Sequence, residues 1–126
     1  MCQDGLGQST CIGLGADVIQ GMSFVEALEL FRDDFKTDAV LLIGEIGGGA
    51  EEKAAKYLSE ADYPKPVIAY VAGRNAPPHR RMGHSAAIVS AGMGGTEGKI
   101  AALREAGVRL VESPVEFGST VRKALY

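Results

Sequence analysis

The segment AVLLIGEIGGGAEEKAAKYLSE, residues 39–60, decides the fold class of this chain. It opens with the unbroken apolar run Ala39–Ile43, which is typical of a parallel strand covered on both faces. The glycine-rich segment Gly44–Gly49 follows, and Ala50–Glu60 then consists mainly of strong helix formers. Because a strand, a glycine loop and a helix stand in this order, the segment predicts part of a βαβ unit.

Strand and helix patterns also alternate on the amino-terminal side of this segment. Cys11–Gly15 predicts a short buried strand, and the residues up to Met22 predict a loop. Ser23 and Glu26 match a capping box, in which each side chain satisfies a free amide at the start of a helix. The helix that they open ends at Arg32–Asp34. Its apolar residues follow helical spacing and are Phe24, Ala27, Leu28, Leu30 and Phe31.

The alternation continues on the carboxyl-terminal side. Val67–Ala72 predicts a buried strand, and Ala86–Ser90 predicts either a fourth strand or a buried turn. Glu97–Ala106 predicts a helix, with Thr96 as its cap and Gly107 just past its end.

The chain closes with one more strand and one more helix. Val108–Val111 predicts a short strand. Ser113 and Glu116 repeat the capping box, with Pro114 at the first helical position, and open a helix that runs to Leu125. The alternation predicts the α/β class with a mainly parallel sheet, in a single domain over residues 1–126.

Composition and charge exclude several classes of protein. The 126 residues carry a net charge of −3, which argues against a nucleic-acid-binding surface. No apolar run approaches the roughly 20 residues that span a bilayer, and the first residues do not match a signal peptide. Cys2 and Cys11 form no disulfide framework, and we expect Cys11 to be a small buried hydrophobe. These features predict a cytoplasmic protein, with the mitochondrial matrix as the alternative.

The loop Gly73–Ala87 contains the residues best suited to chemistry. His84 is a candidate nucleophile, because a neutral imidazole has a free nitrogen that can accept a phosphoryl group. The other ring nitrogen then needs an acceptor, and Glu45, just past an apolar strand, is the obvious one. Glycines beside the histidine allow backbone amides to approach a phosphate. Arg80 and Arg81 are candidates to neutralise a phosphate or to pair with an acidic partner.

Each of these residues also has a plainer interpretation. His84 fits a surface or hydrogen-bonding residue, Glu45 fits a polar residue at a strand end, and the arginine pair fits a solvated face. Gly47–Gly49 precedes a helix and is a weak candidate for anion binding, since it matches neither GxGxxG nor the P-loop. His79 is predicted to be a loop residue. Neither histidine has neighbours at metal-ligand spacing, so no metal site is predicted.

Four segments, taken together, resemble the carboxyl-terminal ligase domain of the succinyl-CoA synthetase (succinate–CoA ligase) α subunit. They are GLGQSTCIGLGAD (residues 5–17), IGEIGGGAEE (43–52), APPHRRMGHSAAIV (76–89) and AALREAGVRLVESP (101–114). The resemblance implies a flavodoxin-like, three-layer domain in which His84 is phosphorylated and Glu45 orients it. We also expect Gly83, Ser85 and Arg81 to support the phosphate and its loop.

The same resemblance implies the reaction and its participants. An acid, coenzyme A and ATP or GTP with Mg²⁺ would give an acyl-CoA, ADP or GDP, and phosphate. Succinate is the expected acid, with malate, citrate or another short carboxylate as alternatives. The partners would be a β subunit that carries the nucleotide site and a coenzyme A-binding portion of the α subunit.

That coenzyme A-binding portion, and a helix that helps to hold the phosphate, lie upstream in the family and find no match in residues 1–126. We therefore expect an incomplete ligase domain that binds none of the substrates alone and does not turn over alone. The alternative hypothesis is a non-catalytic remnant or a split-subunit binding module, for which an uncovered sheet face or edge predicts self-association.

Overall fold

The fold is described from a computed structural model, which covers residues 1–77, 79–84, 86–89 and 94–126. Helices and strands alternate along the described residues, and two short 3₁₀ turns, Cys2–Asp4 and Pro114–Glu116, accompany them. The regular elements are α1 (Phe24–Asp33), β1 (Val40–Glu45), α2 (Ala50–Glu60), β2 (Val67–Ala72), α3 (Thr96–Glu105), β3 (Arg109–Leu110) and α4 (Phe117–Leu125). In the part of the chain that is described, no helix is both long and apolar enough to cross a bilayer.

The three strands form one parallel sheet in the order β1-β2-β3. β1 pairs with β2 from Val40 opposite Val67 to Glu45 opposite Ala72. The predicted α/β class with a parallel sheet is therefore confirmed. Because the two long strands end at the same level, the loops that follow them leave from one edge of the sheet.

Helices cover both faces of the sheet, which gives the three layers that were predicted. One face of β1 and β2 packs against α1, α2 and α3, in a core that includes Leu28, Leu58 and Leu103. The opposite face packs against α4, where Val121 contacts Ile68 of the central strand.

Local sequence signals fixed several boundaries correctly. α2 and β2 have the bounds that their patterns predicted. The capping box at α1 is formed: Glu26 donates its amide to Ser23 Oγ at 3.3 Å and accepts the Ser23 amide at 2.8 Å. The hydrogen bond from the Ser23 amide lowers the pKa of the Glu26 carboxyl. Gly107 follows α3 with a φ of +78° and ends that helix as predicted.

The prediction of a strand at Cys11–Gly15 is wrong, because these residues form no regular element. Cys11 is exposed, so the expectation of a buried cysteine is wrong as well. The segment contains two glycines, which weaken a strand, and it makes no ladder hydrogen bonds with the described part of β1. Its neighbour Ser9 instead contacts Thr37 through their hydroxyl groups at 2.6 Å.

Two side chains from the predicted apolar patterns are exposed, and for Ile43 this contradicts the prediction of a strand covered on both faces. Ile43 is 55% exposed. Side chains alternate along β1, so Ile43 lies on the sheet face that α4 covers, but it is not part of the apolar cluster between α4 and the sheet. β1 is therefore not fully covered on both faces. Leu30 is 58% exposed, because it lies two residues from the buried Leu28 and so on the opposite side of α1.

The remaining differences concern short segments. α3 begins one residue early, so Gly95 is the cap and the buried Thr96 is the first helical residue. The last helix begins with the 3₁₀ turn Pro114–Glu116 before α4. Of the two alternatives for residues 86–90, the turn is confirmed for residues 86–89, where Ala87 is fully buried, and Ser90 lies outside the described residues.

The leucines of α1 and α3 give a direct test of which face of each helix is buried. Leu103→Ala removes a fully buried side chain and is expected to lower the free energy of unfolding by about 2–5 kcal/mol. Leu30→Ala is the matched control at an exposed helical position and is expected to change it by less than about 0.5 kcal/mol. Urea denaturation measures both, and equal losses would contradict the packing described above.

Candidate active site

The structure brings the two predicted central residues into direct contact. Glu45 is the last residue of β1, and its Oε1 lies 2.7 Å from Nδ1 of His84. The side chain of His84 is 65% exposed and that of Glu45 is 38% exposed. Among the described residues, Nε2 of His84 has no hydrogen-bond partner. The contact holds one ring nitrogen against a carboxylate and does not use the other.

Backbone hydrogen bonds shape the loop that carries His84. The His79 amide donates to the Val89 carbonyl at 3.1 Å, and the Met82 amide donates to the Ala87 carbonyl at 3.1 Å. The Ala87 amide donates in turn to the His84 carbonyl at 3.1 Å. Because Ala87 is fully buried, it anchors this turn to the body of the domain. His84 is thus held on a folded turn.

Close packing between loops places this turn beside the end of β1. Gly47 has a φ of +92°, and a Cβ at this position would overlap the carbonyl oxygen of Ala86. The Gly47 amide donates to the Gly94 carbonyl at 2.8 Å. This glycine is therefore used to pack the loop after β1 against the loops near His84, and its amide is not free for an anion. Anion binding at the start of α2 stays a prediction.

A buried ion pair lies under the glycine loop, and the sequence analysis missed it. Lys99 of α3 is fully buried, and its Nζ contacts Oε2 of the buried Glu51 of α2. Lys99 also donates to the Gly48 carbonyl and to Glu52 Oε2, both at 3.2 Å. The pattern contained a signal for it: Lys99 lies one turn before the buried Leu103, so a charged residue occupies the apolar face of α3.

The other predicted phosphate-supporting residues lie on the same loop but make fewer contacts. Gly83 has a φ of +89° and open space around its Cα, and Arg81 is exposed, with no ion pair among the described residues. Ser85 lies outside the described residues. His79 is an exposed loop residue, as predicted.

Arg74, the first arginine of the loop, forms ion pairs with residues outside the loop. Its Nε lies 3.7 Å from Glu97 Oε1, and its Nη1 lies 3.7 Å from Glu112 Oε1. Its charge is therefore shared with two carboxylates. Across residues 1–77, 79–84, 86–89 and 94–126, no group of three His, Cys, Asp or Glu side chains is placed to hold a metal ion.

Comparison with known proteins identifies the class that this fold and site define. The family model for CoA-ligase matches residues 1–109, and the chain belongs to that family. It is 50% identical over 121 residues to the ADP-forming succinate–CoA ligase subunit alpha 1 of Archaeoglobus fulgidus, covering 96% of this chain and 41% of the relative. It is 44% identical over 124 residues to the corresponding alpha subunit of Staphylococcus aureus, covering 98% and 41%. The chain thus spans about two fifths of the length of these relatives.

Solved structures with the same fold are named for a different activity. ATP citrate lyase of Methanosaeta concilii, solved in complex with (3S)-citryl-CoA, matches with a TM-score of 0.79 and 24% identity over 88% of this chain and 18% of that chain. The enzyme of Methanothrix soehngenii, solved with citrate and coenzyme A, matches equally well. At this identity the likeness establishes the CoA-ligase fold.

Two neighbouring glycines test the packing that places the histidine turn. Gly47→Ala is expected to destabilise the chain, because the new Cβ overlaps the Ala86 carbonyl. Gly48→Ala is the matched control, since Gly48 also has a positive φ, +57°, but has open space around it. The control should cost about 1–2 kcal/mol from its backbone conformation, and Gly47→Ala about 1–3 kcal/mol more. Chemical denaturation measures the difference, and equal costs would show that the loops do not pack as described.

Proposed function

We propose that this chain carries the histidine that is transiently phosphorylated in acid–thiol ligation, with His84 as the nucleophile. The reaction would convert succinate, coenzyme A and a nucleoside triphosphate into succinyl-CoA, a nucleoside diphosphate and phosphate. The observation that carries the proposal is the 2.7 Å contact between His84 Nδ1 and Glu45 Oε1, made by a histidine side chain that is 65% exposed. Membership in the CoA-ligase family supports the class of reaction, and the alpha-subunit relatives support the substrate.

The proposed chemistry consists of two phosphoryl transfers and one acyl transfer. The Nε2 lone pair attacks the terminal phosphorus of the nucleoside triphosphate, so that an N–P bond forms and the P–O bond to the diphosphate breaks. A carboxylate oxygen of the acid then attacks the same phosphorus, which yields an acyl phosphate and frees the histidine. The thiolate of coenzyme A finally displaces phosphate from the acyl carbon. Each step exchanges one bond for another, and no oxidant or reductant is needed.

Glu45 would assist by holding the ring in one tautomer. As an ionised carboxylate it accepts the Nδ1–H, so the lone pair resides on Nε2. When Nε2 gains phosphorus the ring becomes positively charged, and the adjacent carboxylate stabilises that charge. Gly83, Ser85 and Arg81 are proposed to support the phosphate through backbone amides and a guanidinium group.

The remaining participants are proposed to lie outside this chain. A β subunit would supply the nucleotide site, and the relatives' names, which are those of alpha subunits, support such a partner. Coenzyme A would be held by the part of such an α subunit that these 126 residues do not match. Mg²⁺ is proposed to enter with the nucleoside triphosphate, because magnesium sites of this kind use phosphate oxygens as ligands. Because phosphoryl transfer depends on positioning, we propose that this chain does not turn over alone.

Phosphorylation of the chain tests this proposal. The chain is incubated with a succinate–CoA ligase β subunit, Mg²⁺ and terminally labelled nucleoside triphosphate, and acid-labile label on the chain is measured. We expect label on the natural chain and none on His84→Asn. Glu45→Gln should slow labelling by roughly 10²- to 10⁴-fold, because the tautomer is no longer fixed.

The matched control is His79→Asn, the same substitution on the same exposed loop, which should label like the natural chain. Label that survives His84→Asn would overturn the assignment of the nucleophile. Succinyl-CoA formed by the chain without a β subunit would overturn the proposal that it is inactive alone.

A second candidate function is partner binding without catalysis, in the form of self-association. The observation that favours it is a groove of about 810 Å³ beside β1, which is lined by residues 5–14 and by Leu41 and Ile43. Ile43, on the open face of β1, is 55% exposed and Ile12 is 37% exposed. Light scattering over a range of concentrations tests this candidate, and a chain that stays monomeric throughout would count against it.

A further inference from the structure

Lys99 and Glu51 form an ion pair in the interior of the protein, where charged side chains are rare. Lys99 is fully buried and Glu51 is 4% exposed. Burying two charges costs free energy, and apolar residues of similar size often stabilise a protein as well or better. Stabilisation alone therefore does not account for a buried ion pair at this position. Its contacts with the main chain indicate a second role.

The two oxygens of Glu51 have different partners, and one of them belongs to the site. Oε2 contacts Lys99 Nζ, while Oε1 accepts the backbone amide of Glu45 at 3.0 Å. Glu45 is the residue whose side chain contacts His84. The ion pair is thus hydrogen-bonded to the main chain of Glu45, the residue that carries the proposed catalytic carboxylate.

Lys99 fixes the other side of the same loop. Its Nζ donates to the Gly48 carbonyl at 3.2 Å, and Gly48 lies in the glycine loop that links β1 to α2. A Cβ on Gly44 would overlap the Glu51 carboxylate, so the end of β1 lies directly against it. The ion pair therefore contacts the main chain on both sides of Ile46 and Gly47.

We propose that Glu51 and Lys99 are positioning residues, which hold the main chain at Glu45 so that its carboxylate meets His84 Nδ1. This inference rests on the proposed function, in which Glu45 sets the tautomer of the nucleophile. A neutral glutamine at position 51 would present an amide group to Lys99 or to the Glu45 amide, and both of those groups are donors. Only an ionised carboxylate satisfies both at once, which explains why the charge is buried here.

The tautomer of His84 is the readout that a purely structural role would not change. The ¹⁵N chemical shifts of the two ring nitrogens report which one carries the proton when the ring is neutral, so spectra are recorded at mildly alkaline pH. In the natural chain we expect Nδ1–H to be the major form, because Glu45 accepts that proton. A histidine without such an acceptor favours Nε2–H.

The test variant is the double substitution Glu51→Met and Lys99→Met, which removes both charges and keeps the volume. We expect it to fold, and we expect Nδ1–H to stop being the major form of His84. The matched control is Lys56→Met with Glu60→Met, which removes a lysine–glutamate pair from the exposed face of α2. This control should leave the tautomer unchanged.

If the double variant does not fold, Glu51→Asp decides the matter. It keeps a carboxylate for Lys99 but withdraws it from the Glu45 amide, and loss of the Nδ1–H preference would support the positioning role. Unchanged tautomers in the folded test variant, or in Glu51→Asp, would overturn that role.

Failure of the proposed function has a different signature. The natural chain would then show the Nδ1–H form and its dependence on Glu51, yet would take no label from nucleoside triphosphate.

Discussion

The parallel pairing of β1 with β2 is the constraint on which the site depends. Glu45 ends β1 directly opposite Ala72, the last residue of β2. The loop after β1 and the loop that carries His84 therefore start from the same edge of the sheet, although Glu45 and His84 are 39 residues apart in the chain. A shift of β1 by one residue would turn the Glu45 side chain to the other face of the sheet, away from the histidine. The register of β1 against β2 therefore determines which side chains meet at this edge of the sheet.

Much of this arrangement could be predicted from the sequence, because it depends on local patterns and on one rule of topology. The apolar runs of β1 and β2 and the capping box at Ser23 are short-range signals, and each is present as expected. The contact between Glu45 and His84 is a long-range feature, yet it follows once both are assigned to the carboxyl edge of a parallel sheet. The roles of these two residues in catalysis remain proposals.

The features that escaped prediction depend on what covers each residue in three dimensions. Cys11 and Leu30 are apolar residues in regular patterns, but nothing in the sequence near them states whether another element packs over them. The Lys99–Glu51 pair joins two helices across 48 residues. The position of Lys99 on the apolar face of α3 was a signal of burial, but nothing in the sequence near it identifies Glu51 as its partner. Lys99 and Glu51 meet because α2 and α3 pack side by side on one face of the sheet, which the local sequence does not specify.

Under the proposed function, Glu45 makes Nε2, and not Nδ1, the phosphorylated nitrogen of His84. The most direct test is ¹⁵N–³¹P coupling in the ¹⁵N-labelled chain after phosphorylation in the presence of a β subunit. We expect coupling from phosphorus to Nε2 of His84, with Nδ1 still protonated and hydrogen-bonded to Glu45. Phosphorus on Nδ1, or on any other residue of the chain, would contradict it.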